Sequence, residues 1–190
     1  MKNLFTVATL TVLMFTTEAQ QFPELDASPM DAAYYPPRAA FRTFAKTEEA
    51  KTADEPVIRV IYSRPQKKGR EIFGELVKYG EVWRVGANEA TEVLFFKNVT
   101  IGSTKLDIGR YTIYAVPQEN EWEVHFSSDL DLWGHYAFKP EESTLAKITV
   151  PSQKTEEIVE AFTILFEESA EGTHMIMAWD DRMVRVPILI

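Results

Sequence analysis

The sequence predicts an all-β protein: an antiparallel β-sandwich or jelly-roll-like barrel, in a single domain with an extended N-terminal arm. Three observations carry this. The chain is rich in strand-favouring aromatics, with 12 Phe, 7 Tyr and 4 Trp. From Pro56 onward, short segments rich in β-branched and aromatic residues recur, several alternating with period two. Turn residues separate them at regular spacing, as in sandwiches and barrels.

In chain order, Met1 to Ala19 comes first. Lys2 precedes an uncharged run from Leu4 to Thr17, and small residues Thr17 and Ala19 close it. This is the layout of a secretory signal peptide, cut after Ala19, and the run is too short for a comfortable membrane span. The mature chain is expected to be secreted or periplasmic, with no membrane span. Residues 20–55 hold Pro23, Pro29, Pro36 and Pro37, an alanine-rich middle and a charged end. They read as an arm with little regular structure, its aromatics docking on the domain, with a weakly signalled short helix from Pro37 to Lys51.

The domain proper is expected over 56–190. Strands are predicted at Val57 to Tyr62, Thr91 to Lys97, Arg110 to Val116, Trp122 to Ser127 and Leu145 to Val150. Arg70 to Val77 reads as a loop or short strand. Val93 to Phe96 is apolar at every position, which suggests burial on both faces. Pro117 to Glu121 is a hairpin turn between two alternating segments. Thr155 to Glu168 fits both a helix and a strand, and its β-branched residues favour the strand. His174 to Trp179 and Met183 to Ile188 are expected to form a second hairpin across Asp180, Asp181 and Arg182.

Net charge is −9, which argues against nucleic acid as a partner, since phosphate binding needs clustered Lys and Arg. Cysteine is absent, which removes disulfides, thiolate zinc sites and thiol nucleophiles. No motif calls for a cofactor.

The run from Tyr79 to Asn98 concentrates the chemistry. Its centre, Trp83 to Thr91 (WRVGANEAT), sets Arg84, Asn88, Glu89 and Thr91 between apolar segments. Polar groups so close to a core must be hydrogen-bonded or they cost several kcal/mol. Gly86 permits a tight bend that would bring Arg84 and Glu89 toward each other. An exposed partner-binding turn is one reading, and two others stay open. One is a buried ion pair with Asn88 satisfying the turn. The other is a pocket floor where Arg84 grips an anionic or carbonyl group and Glu89 orients or deprotonates it. Arg70, Tyr79 and Trp83 would border such a pocket, and a small molecule or glycan would be its ligand.

Ser63 to Arg70 is the basic cluster, a solvated loop or an anion-binding loop, with Arg70 as the inward-facing member. His125, His135 and His174 share no metal-ligand spacing. Asp129, Asp131 and Glu141 lack calcium-loop spacing and read as turn residues. There is no nucleophile elbow. Trp83, Trp122, Trp133 and Trp179 could form a sugar-stacking platform, although alternation puts most of them in the core.

WRVGANEAT also carries a resemblance. With Leu25 to Asp31 (LDASPMD), Tyr62 to Thr91, Gly109 to Pro117 (GRYTIYAVP), the Trp122 strand, Trp179 and Val184 to Ile188 (VRVPI), the chain resembles the family called domain of unknown function 2911 over almost its whole mature length. The resemblance implies a secreted, β-rich protein and no particular activity. A ligand-binding module, a hydrolase or isomerase using Glu89 as base, and a purely structural protein are the readings the sequence leaves.

Overall fold

The computed structural model describes residues 21–190. The expected signal peptide lies outside the described residues. Nine strands run in the order β1-β2-β3-β6-β7-β8-β9-β4-β5, every neighbouring pair antiparallel. They are β1 (Met30–Tyr35), β2 (Ile58–Ser63), β3 (Thr91–Phe95), β4 (Val99–Ile101), β5 (Thr104–Leu106), β6 (Gly109–Pro117), β7 (Glu121–Ser127), β8 (Thr144–Ser169) and β9 (Gly172–Leu189). Two short helices, α1 (Glu48–Ala53) and α2 (Pro140–Ser143), and a 3-10 turn at Ala39–Phe44 complete the elements.

Strand β8 joins the two halves of the fold. Its first part pairs with β7 from Thr144 to Pro151, and its later part pairs with β9 from Ser152 onward. The sheet thus turns back on itself in a sandwich-like arrangement. Alternate residues of each strand fill the interior: Val60 and Tyr62 of β2, Val93 and Phe95 of β3, Trp122, Val124 and Phe126 of β7, and Phe162 and Ile164 of β8. Met175, Met177, Trp179, Val184 and Val186 of β9 face them. Burying one large aliphatic or aromatic side chain contributes about 1.5–3 kcal/mol, so this contiguous cluster outweighs any surface pair.

Several expectations need correction. Met30–Tyr35 is not structureless arm: it pairs with β2 in full register, from Met30 opposite Ser63 to Tyr35 opposite Ile58. Its alanines and tyrosines give a poor period-two signal, and pairing with β2 supplies the order. The helix expected from Pro37 to Lys51 is divided into the 3-10 turn and α1, which Thr47 caps through its hydroxyl to Ala50 N at 3.2 Å. Val93 to Phe96 is buried on one face only, because Leu94 lies between Arg59 and Arg110 of the neighbouring strands.

The predicted hairpin at Asp180 to Arg182 is not a hairpin. β9 continues through it, and the true turn is Ala170–Glu171, between Ser169 and Gly172. Asp180 takes φ 56° and the register shifts there, so β9 is kinked rather than reversed. The Asp180 carboxylate turns inward to meet Lys67 Nζ at 2.9 Å and accepts from Ile72 N. Thr155 to Glu168 is strand throughout.

Candidate functional site

Trp83 to Thr91 lies across β6 and is held by its backbone. Trp83 N donates to Ala115 O at 2.7 Å, and Ala115 N donates back to Trp83 O at 2.9 Å. The Trp83 indole plunges into the core against Phe73, Trp122, Phe162 and Trp179. Its Nε1 donates to Gly86 O at 3.1 Å. The chain then bends sharply, with Val85 at φ 56°, Gly86 at 145° and Asn88 at 57°. A β-branched residue at positive φ is a genuine outlier. The Thr91 hydroxyl, fully buried, donates to Val85 O and helps hold it there. Gly86 is required as well: a Cβ there would stand 3.1 Å from Ser63 O.

A second segment, Asp129 to Phe138, clips onto this turn. Ala90 N donates to Leu132 O at 3.0 Å and Gly134 N to Asn88 O at 2.7 Å. Phe138 stacks on Tyr114 at 3.9 Å, closing the outer face of β6 over a small cluster with Ala90. The third wall is the stretch from Pro65 to Glu81. It is fastened by Lys67–Asp180, by Phe162 N donating to Pro65 O at 2.9 Å and by Gly80 N donating to Pro117 O at 2.8 Å.

Between the three walls is a cleft of about 280 Å³. Arg84, His135, Arg70, Lys78 and Glu81 supply its polar lining, and Trp83, Leu76 and Val77 its apolar side. Arg84 Nε is buried without a hydrogen-bond partner, and no ion pair or side-chain hydrogen bond among the described residues uses Arg84. His135 Nδ1 is likewise buried and unpartnered. Burial pushes the His135 pKa down, the Arg84 charge pushes it further, and Glu81 opposes both. A half-buried guanidinium with a buried, unpartnered Nε is costly, and a bound anion would relieve it.

The structure separates the sequence-predicted residues. Arg70, Trp83 and Arg84 line the cleft; Tyr79, Asn88, Glu89 and Thr91 do not. No ion pair joins Arg84 to Glu89, because the positive-φ residues turn them to different sides. Glu89 is exposed and lines a separate depression of about 220 Å³ with Met30 and Ile61. Glu89 is thereby not set against a group held by Arg84. Tyr79 packs on Gly74 instead. Asn88 and Thr91 hold the bend. Arg70 is exposed and donates back to Gln66 O and Lys67 O, so the inward-facing member of the basic loop is Lys67. His135 has no spacing in the sequence that marks it for the cleft; the local signal is Gly134 beside it, at φ 76°.

Of the tryptophans, Trp83, Trp122 and Trp179 are core and Trp133 is exposed. Another polar cluster, on β7 and β8, is internally satisfied. Glu123 Oε1 lies 2.9 Å from His125 Nε2, Thr144 Oγ1 3.1 Å from Nδ1, and Lys147 Nζ donates to Glu123 Oε2 at 2.9 Å. Among the described residues no group of three or more His, Asp and Glu is placed to hold a metal, and no helix is long and apolar enough to cross a membrane.

The fold and cleft define an all-β, sandwich-like domain with a cation-lined depression at one strap-like turn. Residues 45–188 match the family described as Protein of unknown function (DUF2911), and the chain belongs to that family. No curated protein and no solved structure matches the chain.

Proposed function

We propose that the protein is an extracytoplasmic ligand-binding module whose cleft takes a small ligand through an anionic group. The observation that carries this is the half-buried Arg84 guanidinium beside His135, whose Nε has no hydrogen-bond partner and which makes no ion pair among the described residues. Arginine favours carboxylate and phosphate because its planar fork donates two parallel hydrogen bonds. Asn88 and Thr91 build the turn rather than meet the ligand, whereas Trp83 also lines the cleft. The compartment follows from the signal-peptide layout of Met1 to Ala19, and a mature N-terminus at Gln20, read by mass spectrometry of the exported protein, would check it.

Calorimetric titration with galacturonate, succinate, acetate and phosphate tests the binding reading. At least one should bind the parent protein, and Arg84→Gln should abolish that binding. Because Arg84 has no partner to lose, the same substitution should leave stability unchanged or raise it by up to about 1–3 kcal/mol, the cost of one unsatisfied buried polar group. Equal binding by parent and variant, or none by either, would overturn the reading.

A further inference from the structure

We infer that the cleft's ligand is an acidic oligosaccharide: a short chain of uronic acid sugars with one carboxylate at Arg84 and His135 and ring faces on Trp133 and Tyr136. This rests on the anion-binding reading above and adds the ligand class to it.

The inference comes from the surface beside the cleft. Trp133 is 61% exposed and Tyr136 74%. Their rings are nearly parallel, 5.9 Å apart at 20°. Tyr136 in turn lies 5.0 Å from the His135 ring at 29°. The three rings form a row from open solvent to the wall of the cleft. The backbone fixes this row. Trp133 bridges Glu89, and Gly134 N is bonded to Asn88 O. Gly134 has no Cβ, and one placed there would stand 2.7 Å from the Tyr136 ring. The ring can lie back over the turn only because that position is glycine. The aromatic surface is therefore built in advance, at little further entropic cost on binding.

Ligand chemistry narrows the class. A purely apolar ligand would leave Arg84 unpaired. An inorganic anion would leave the ring faces uncovered. A pyranose offers a face of C–H groups to an aromatic ring while its hydroxyls stay in water, and a uronic acid adds a planar carboxylate for the arginine fork. Length is limited by charge. The chain carries −9, which repels a long polyanion. Beyond about 8 Å at physiological salt such charges are screened, so a carboxylate placed beside Arg84 feels chiefly the groups lining the cleft, where Arg84, Arg70 and Lys78 outnumber Glu81. A short oligomer satisfies both conditions.

The test compares galacturonate, trigalacturonate and the neutral trisaccharide maltotriose by calorimetry, on the parent protein and on Trp133→Ala, Tyr136→Ala and Arg84→Gln. Trigalacturonate should bind the parent roughly tenfold more tightly than galacturonate, the gain expected of an added stacking contact. Trp133→Ala and Tyr136→Ala should each remove most of that gain, so that trigalacturonate binds each variant little better than galacturonate does. Both side chains are exposed, so the folded state should be kept, and near-ultraviolet circular dichroism verifies this. Trigalacturonate should also shift the tryptophan emission of the parent but not of Trp133→Ala. If galacturonate binds as tightly as the trimer, or the aromatic variants behave like the parent, the inference fails while the anion reading stands. If maltotriose binds as well as trigalacturonate, the acidic class is wrong. If no acid binds at all, both fall together.

Discussion

Tyr114 and Thr91 are both fully buried, and their hydroxyls should answer substitution in opposite directions. Tyr114 stacks on Phe138, but its OH has no partner, and burial pushes its pKa up to about 12. Tyr114→Phe removes an unsatisfied group without leaving a cavity. It should stabilise the protein by about 1 kcal/mol, read from urea unfolding. A loss instead would mean that the hydroxyl is bonded. Thr91 donates to Val85 O at the point where Val85 takes its unfavourable φ. Thr91→Val keeps the shape and orphans that carbonyl, and should cost about 1–3 kcal/mol. Equal stability would show that the bend does not need the bond. Polar residues in this turn were conspicuous in the sequence, but which of them bind and which brace was not. That depends on the sign of φ at Val85 and Asn88: asparagine tolerates the left-handed region, but a β-branched valine gives no sign of it.

Lys67 and Asp180 tie the cleft wall to the kink in β9, and both side chains are mostly withdrawn from solvent. Lys67→Met keeps the apolar stem and removes the charge. The Asp180 carboxylate would then hold only its bond to Ile72 N. A loss of roughly 3 kcal/mol is expected by thermal or urea unfolding, the scale for breaking one side of a buried pair. A change within about 0.5 kcal/mol would place the pair among surface contacts. The strands with clean alternation, β2, β6 and β7, were legible from sequence, as was the Pro117 to Glu121 turn between β6 and β7. The elements that misled did so for physical reasons. Asp-Asp-Arg has turn chemistry, yet one positive-φ residue makes a bulge if the partner strand continues. β1 has a weak pattern because its order is supplied by β2. The short β4 and β5 leave too few residues to show a period.

Across the molecule, pH should act on stability and on binding with opposite signs. Burial pushes both His125 and His135 below the ordinary value of 6.5. Near that value the unfolded chain therefore binds more protons than the folded one. Stability from these two residues is fully present above about pH 6.5, and is lost as pH falls through their lowered folded values. Chemical denaturation midpoints should be level from pH 8 to pH 7 and decline below about pH 6.5. His135→Gln should reduce the decline. An anion beside His135 favours the protonated ring, so affinity for an acid should rise over the same fall in pH. Affinity that is constant over that interval would place the anion away from His135.

The sequence by itself determined the all-β class, most of the strands, the family and the turn around which the polar chemistry gathers. These are local matters: side-chain period, turn residues and a long motif are written along the chain. Only the tertiary structure decided that Arg84 faces His135 rather than Glu89, that Lys67 rather than Arg70 turns inward, and that an aromatic row stands beside the cleft. Each joins segments tens of residues apart. Their meeting is set by how β8 carries the sheet back on itself and by the few backbone bonds that clip one loop to one turn.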